Sequence, residues 1–190
     1  MFKPHALTSR RAITAAVVAV ASLFATPAMA EETVCVGTIG AVSLDNVLVP
    51  DGATCMLDGT RLNGNIVVGT AASLDAVRVT VNGNVQAEGA NSVAVRGRSS
   101  IGGSIQIVQG FSAVIANSRI NGDVLFDENK APLRASRNSI GGNLQAFKNT
   151  GGLHINDNVI KGNLQCKENV PTPTGSGNSA SSKEDQCAAL

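Results

Sequence analysis

The feature that most constrains this chain is a five-residue pattern repeated six times at nearly constant spacing. It reads Leu62-Asn-Gly-Asn-Ile66, Val81-Asn-Gly-Asn-Val85, Ile101-Gly-Gly-Ser-Ile105, Ile120-Asn-Gly-Asp-Val124, Ile140-Gly-Gly-Asn-Leu144 and Ile160-Lys-Gly-Asn-Leu164. The central glycines, Gly64, Gly83, Gly103, Gly122, Gly142 and Gly162, follow one another at intervals of 19, 20, 19, 20 and 20 residues. Asn46-Val47-Leu48-Val49 is a degenerate earlier copy. A period of this length, held in register, is the mark of a solenoid, in which a repeat buries its apolar face only by stacking on the next one.

Aligned copies give columns with physical meaning. Two residues before the glycine every copy is apolar, and so it is two residues after, where Ile66, Val85, Ile105, Val124, Leu144 and Leu164 stand. Val68, Ala87, Ile107, Phe126, Ala146 and Cys166 follow two positions later, around an outward column of Val67, Gln86, Gln106, Leu125, Gln145 and Gln165. This period of two predicts strands with one buried face. Upstream stretches such as Val93–Val95 and Ala113–Ile115 predict a second strand per coil. Stacked coils bring like residues about 4.8 Å apart, so aliphatic columns fill the core without large rings. That accounts for a chain with 3% aromatic residues and no Trp or Tyr, which also lacks the means to bind sugars or bases by stacking. Disorder is excluded by 43% hydrophobic residues at a net charge of +1. The glycine column predicts a tight bend, set by positive φ or by close backbone approach. Asn65, Asn84, Ser104, Asp123, Asn143 and Asn163 beside it predict side chains bonded to turn backbone, and Asn129, Asn149 and Asn169 predict an asparagine ladder at another corner.

Strict hexapeptides, which a left-handed β-helix requires, are missing. Leucine-rich repeats are imitated by Leu164-x-Cys166-x-x-Asn169 and Val124-x-Phe126-x-x-Asn129. They also need an apolar residue where Asn63, Asn82, Asn121 and Lys161 stand. The expected fold is therefore all-β, a right-handed parallel β-helix of six to seven coils, and residues 40–169 resemble the repeats of pectin-lyase-like β-helices. The ending Gly162-Asn-Leu-Gln-Cys166 with Gln186-Cys187 is similar to that of small secreted bacterial proteins of unknown function, a likeness that implies no activity.

Residues 1–30 read as a signal peptide. Lys3, Arg10 and Arg11 precede the apolar run Ala12–Phe24, which is too short to span a bilayer, and Ala28-Met29-Ala30 is a small-residue cleavage site. The β-helix domain is expected over 31–169, with an N-terminal cap at about 31–44, and a C-terminal loop and cap over 170–190. Without the leader's three basic residues, 12 of the 15 remain against 14 acidic ones, a formal charge of −2, and no membrane span is expected. Four cysteines in an exported chain imply two disulfides with three possible pairings. Cys35 and Cys55 lie 20 residues apart, and Cys166 and Cys187 lie 21 apart, about one coil each. The stacking distance suits a disulfide, so Cys35–Cys55 and Cys166–Cys187 are expected to pin the two ends.

Catalytic chemistry is thinly represented. His154 is the one histidine after the leader, too few for a zinc site or a convincing triad. The resemblance to pectin-lyase-like enzymes implies carboxylates gathered on neighbouring coils, often with calcium, for which Asp123, Asp127 and Glu128 are the candidates. Asp123 fits a turn position and the other two a charged edge interleaved with lysines, so no catalytic residue, metal or cofactor is assigned. The arginines are more ordered. Arg61, Arg78, Arg96, Arg98, Arg119, Arg134 and Arg137 all lie three to eight residues before a motif glycine, with Arg78, Arg98 and Arg137 in one column five before it. A solenoid gathers them on one side, with Asp58, Asp75 and Asp157 the acids nearby. Guanidinium forks there suit the carboxylate, sulfate or phosphate groups of an extended polyanion. The expected function is that of an exported, non-catalytic binding or structural protein whose partner is an anionic polysaccharide or a cell-surface component. The alternative is a small polysaccharide lyase or hydrolase. Nucleic acid is disfavoured by the near-neutral charge and the lack of aromatics.

Overall fold

The computed structural model describes residues 31–190, and the leader reading lies outside them. The described chain forms 24 strands in three parallel sheets of nine, eight and seven strands. One coil is Val85–Glu88 in sheet 1, Ser92–Arg96 in sheet 2 and the two-residue Ser100–Ile101 in sheet 3, after which the next coil starts at Ile105–Val108. Each strand pairs with its counterpart one coil away. Ile105 lies opposite Val85 and Val124, Val93 opposite Leu74 and Ala113, and Ile101 opposite Val81 and Ile120. The chain is thus an all-β parallel β-solenoid of about eight turns, slightly longer than the glycine motif indicates. The additional turns lack the motif. At one end they use Glu32–Val34, Gly37–Ile39 and Ser43–Leu44, and at the other Thr174–Ser176 and Lys183–Asp185.

The aliphatic columns form one continuous core. Ile66, Val85, Ile105, Val124, Leu144 and Leu164 are fully buried in sheet 1, as are Ile101, Ile120 and Ile140 in sheet 3. Phe126, the one fully buried aromatic among the described residues, has Ile107 and the small Ala146 as its register neighbours. The glycine column is required by proximity. A Cβ on Gly83 would collide with Asn65 Oδ1 and the Gly64 carbonyl of the preceding coil, and one on Gly142 with Asp123 Oδ1. Left-handed backbone occurs elsewhere, at the other two corners, and there mostly in residues with side chains. Arg78, Arg98, Asn117, Arg137 and Asp157 have φ of 49–69° between sheets 2 and 3, while Gln109, Glu128, Lys148 and Glu168 have φ of 52–59° between sheets 1 and 2. For a residue with a Cβ this conformation costs about 1–2 kcal/mol. Stacked backbone bonds hold it in place, such as Arg98 N to Asn117 O at 2.8 Å and Arg137 N to Asn156 O at 3.0 Å.

Polar columns satisfy the corner backbone. Beside the glycines, the N–H of Asn65, Asn84, Ser104, Asp123, Asn143 and Asn163 each donates to the side-chain oxygen one coil earlier, at 2.6–3.0 Å. Asn129, Asn149 and Asn169 form the expected buried ladder, which Gln186 continues. A third ladder, which the repeat alignment does not single out, runs through Asn138, Asn158 and Asn178, each directly after the left-handed corner residue. Asn158 is fully buried. Its Oδ1 accepts from Asn138 N–H and Nδ2, and its Nδ2 donates to Ala135 O at 2.9 Å. The Pro/Gly/Ser/Thr-rich stretch 171–182 also departs from expectation. It makes a further coil through Thr174–Ser176 and the Val159–Ser179 bridge, because Asn178 extends the ladder into it.

Both disulfides pair as expected, with Cα separations of 5.6 Å for Cys35–Cys55 and 5.2 Å for Cys166–Cys187. The half-cystines are offset in register, Cys55 lying opposite Gly37 and Cys166 opposite Asp185. At the C-terminal end Glu184 accepts hydrogen bonds from Ser182 Oγ, Gln165 Nε2 and Asn163 Nδ2. The Ser182 and Gln165 bonds hold its carboxyl below the ordinary glutamate range.

Asn158→Ala removes the acceptor of the buried Asn138 N–H and Nδ2, and should cost about 3 kcal/mol in denaturant unfolding. The half-exposed Asn84→Ala should cost about 1 kcal/mol. A carboxyl with a depressed pKa contributes stability above its unfolded pKa, and that contribution is lost as pH falls through the folded one. Amide exchange in residues 174–190 should therefore accelerate as pH drops below the usual glutamate range, after correction for intrinsic rates. Glu184→Gln should flatten that dependence.

Candidate functional site

The seven arginines occupy three kinds of position. Arg78, Arg98 and Arg137 stand at the left-handed corner between sheets 2 and 3, a column that Gly59, Asn117, Asp157 and Gly177 complete. A residue in this conformation directs its side chain out of the corner while the next residue, such as Ser99, Ser118 or Asn138, turns into the core. Arg61 and Arg119 begin the sheet 3 strands Arg61–Leu62 and Arg119–Ile120, with Leu62 and Ile120 pointing inward. Arg96 ends Ser92–Arg96, and Arg134 lies outward in Leu133–Ser136 with His154 as its register partner.

Neighbouring acids divide the group. Arg78 Nη2 meets Asp58 Oδ1 at 2.5 Å. Arg96 makes a two-pronged contact with Asp75, at 2.9 Å through Nε and 2.6 Å through Nη2, and this pairing raises its pKa further. Both pairs are solvent-exposed, so each contributes at most about 1 kcal/mol. Their larger effect is to neutralise two of the seven cations.

Three others converge. Arg98, Arg119 and Arg137 line one shallow groove of about 510 Å³ together with Ser100, Asn117 and Ser139. Arg137 Nε donates to Asn117 Oδ1 at 3.0 Å, and Arg119 Nε donates to Asn121 Oδ1 at 3.2 Å. These bonds leave the terminal guanidinium nitrogens, the Asn117 amide N–H₂ and the serine hydroxyls as available donors. No carboxylate lines the groove. Arg61 lies three coils away in the same sheet, and Arg134 belongs to sheet 2. The single stripe expected from sequence is thus a compact cluster of three, two neutralised members and two outliers. Asn117 and the serines escaped the sequence reading, although Asn117 holds the same place, five before its glycine, as the three aligned arginines.

Other candidates fall apart in space. Asp123 is part of the turn column, its Oδ1 bonded to Asn143 N at 2.6 Å and to Asn143 Nδ2 at 3.1 Å. Glu128 lies beyond the four-residue strand Val124–Asp127, roughly 16 Å along the chain from Asp123, and accepts from Gln109 and Lys148. His154 Nδ1 meets Thr174 Oγ1 at 2.6 Å on the exposed face of sheet 2. No group of three or more metal-ligating side chains occurs among the described residues. On sheet 1 a second trough of about 450 Å³ has the opposite character, with Asp51 and Glu88 beside Val67, Gln86 and Gln106.

No family of known proteins, no curated protein and no solved structure matches this chain. The two disulfides are compatible with an oxidising environment outside the cytoplasm.

Proposed function

We propose that this is an exported, non-catalytic β-solenoid that binds an extended anionic polymer, a polysaccharide or similar cell-surface component, along the corner between sheets 2 and 3. The observation that carries this reading is the groove in which Arg98, Arg119 and Arg137 converge with hydroxyl and amide donors and no carboxylate. Guanidinium groups offer paired N–H donors that fit carboxylate and sulfate oxygens. The absence of an aromatic side chain from this lining favours glycan anions over stacked bases.

Magnitudes decide between a small anion and a polymer. An exposed ion pair contributes about 0.2–1 kcal/mol, too little to retain a single phosphate or acetate. A polymer engages several such contacts at once and gains from their linkage. Because the contacts are exposed, they are screened by salt over about 10 Å at 0.1 M. Secretion to periplasm or medium belongs to this same reading, through the leader pattern and the disulfides.

Three contacts of about 0.5 kcal/mol each amount to roughly a tenfold change in affinity. The protein should be retained on an immobilised acidic polysaccharide at low salt and released as salt rises. The Arg98→Gln/Arg119→Gln/Arg137→Gln variant should bind about tenfold more weakly, and Arg78→Gln should stay within twofold of the parent. Absence of retention at low salt overturns the proposal. So does the appearance of reducing or unsaturated ends with turnover, which would mark an enzyme.

A further inference from the structure

The side of the solenoid carries two recesses of opposite charge. The sheets follow one another around each turn as sheet 1, sheet 2 and sheet 3, so the corner between sheets 2 and 3 faces away from sheet 1. From that corner Arg98, Arg119 and Arg137 project with no carboxylate beside them. The trough on sheet 1, of about 450 Å³, is the chemical inverse, for its lining holds Asp51 and Glu88 and no basic side chain.

The trough has a local cause. Gly69 follows Val68 at the position that Glu88 holds in the next coil, and its missing side chain opens the sheet surface there. Asp51 Oδ1 accepts from Thr70 N–H at 2.8 Å, which steadies the carboxylate and leaves Oδ2 as an acceptor. Val67, 39% exposed, and Val108 offer an apolar surface on which the methylene stem of an arginine can lie. The amide oxygens of Gln86 and Gln106 are further acceptors for guanidinium N–H groups. Asp51 and Glu88 stand two coils apart, about 10 Å along the axis, so the trough can engage two guanidinium groups at once.

We infer that the sheet 1 trough is the docking place for the arginine corner of a second copy of this chain. A convex basic edge meets a concave acidic recess, and charge complementarity of this kind fixes which faces meet. The two faces differ and lie on opposite sides of the coil, so the contact is heterologous. A copy whose corner is engaged still offers its trough, and growth is lateral and open rather than closed at a dimer. Engagement covers the arginines, so self-association and capture of an anionic polymer compete for one groove. The inference uses the same arginines as the reading above and does not require that the polymer bind.

Sedimentation equilibrium tests this. Exposed ion pairs are individually weak and screened by salt, so the parent should gain mass at low salt as its concentration rises through about 0.1–1 mM, and return to monomer in about 0.5 M salt. Glu88→Lys loses the trough, and the Arg98→Gln/Arg119→Gln/Arg137→Gln variant loses the corner, so each alone should remain monomeric. Mixed in equal amounts they supply one intact corner and one intact trough, and should form a heterodimer and nothing larger. Lysine already stands in the column of Glu88 at Lys167, so Glu88→Lys should fold, and circular dichroism and thermal unfolding verify both variants. A parent that stays monomeric, a variant that associates like the parent, or a mixture that stays monomeric overturns the inference. Glu88→Lys should also keep the parent's retention on an acidic polysaccharide. Retention without self-association strikes this inference alone, and self-association without retention strikes only the anion-binding reading.

Discussion

Every local feature of this protein depends on in-register stacking of coils at the strand-pairing distance. Once residue n must lie on residue n+19 or n+20, each coil position has a fixed environment and like residues meet like. Apolar columns then become a core, and each corner must satisfy the same backbone groups again and again. The steric demand is severe at the bend after sheet 3. There the motif glycine faces the asparagine oxygen and glycine carbonyl of the preceding coil, and a Cβ would collide with them. The most visible sequence signal is therefore a place where successive coils approach too closely for a side chain.

Stacking also explains why polar residues lie buried without penalty. A buried amide is costly when unpaired and nearly neutral when every donor and acceptor is used. In the ladder Asn138, Asn158, Asn178 each side chain accepts from the coil before and donates to a strand-end carbonyl. The equivalent positions in earlier coils hold Thr60, Val79, Ser99 and Ser118, and the other ladder column begins with Ala72, Ala90 and Gly110 before Asn129. The two buried ladders thus occupy the C-terminal half. That half has more specific side-chain bonding at its corners, while the N-terminal half has mostly small side chains at these positions, and each end carries one disulfide.

Much of this was legible in sequence because the period does not depend on knowing the corner geometry. Glycine spacing and the alternating columns identified a parallel solenoid, and one-coil cysteine separations identified both disulfides. The corners were less legible. Asn138 and Asn158 lie one coil apart, but they follow Arg137 and Asp157, whose left-handed backbone no residue type there announces. The last coil was hidden because Pro171–Ser182 has the composition of a loop, and only the ladder position of Asn178 shows that it stacks. At the candidate site, the arginine column could be read directly. Which arginines are neutralised could not, since Asp58 and Asp75 stand near several of them and which one each engages depends on where long side chains lie at the corner, which the period does not specify.

The left-handed corners connect fold to surface chemistry. Such a corner projects its side chain into solvent and hands the next residue to the core, so the chain can vary the first without disturbing the second. Core packing accordingly places no requirement on whether position 98, 117 or 157 is basic, neutral or acidic. Selection for solubility alone would favour mixed charges at these points, as at the opposite corner, where Glu128 lies beside Lys148 and Gln109. The corner between sheets 2 and 3 differs. Two of its coils carry arginines without a carboxylate partner, flanking an amide, and a third arginine from sheet 3 leans into the same groove. A rigid stack holds those cations at fixed places along one corner, so an extended polyanion of the proposed kind would meet several of them at once, which no single exposed ion pair could match.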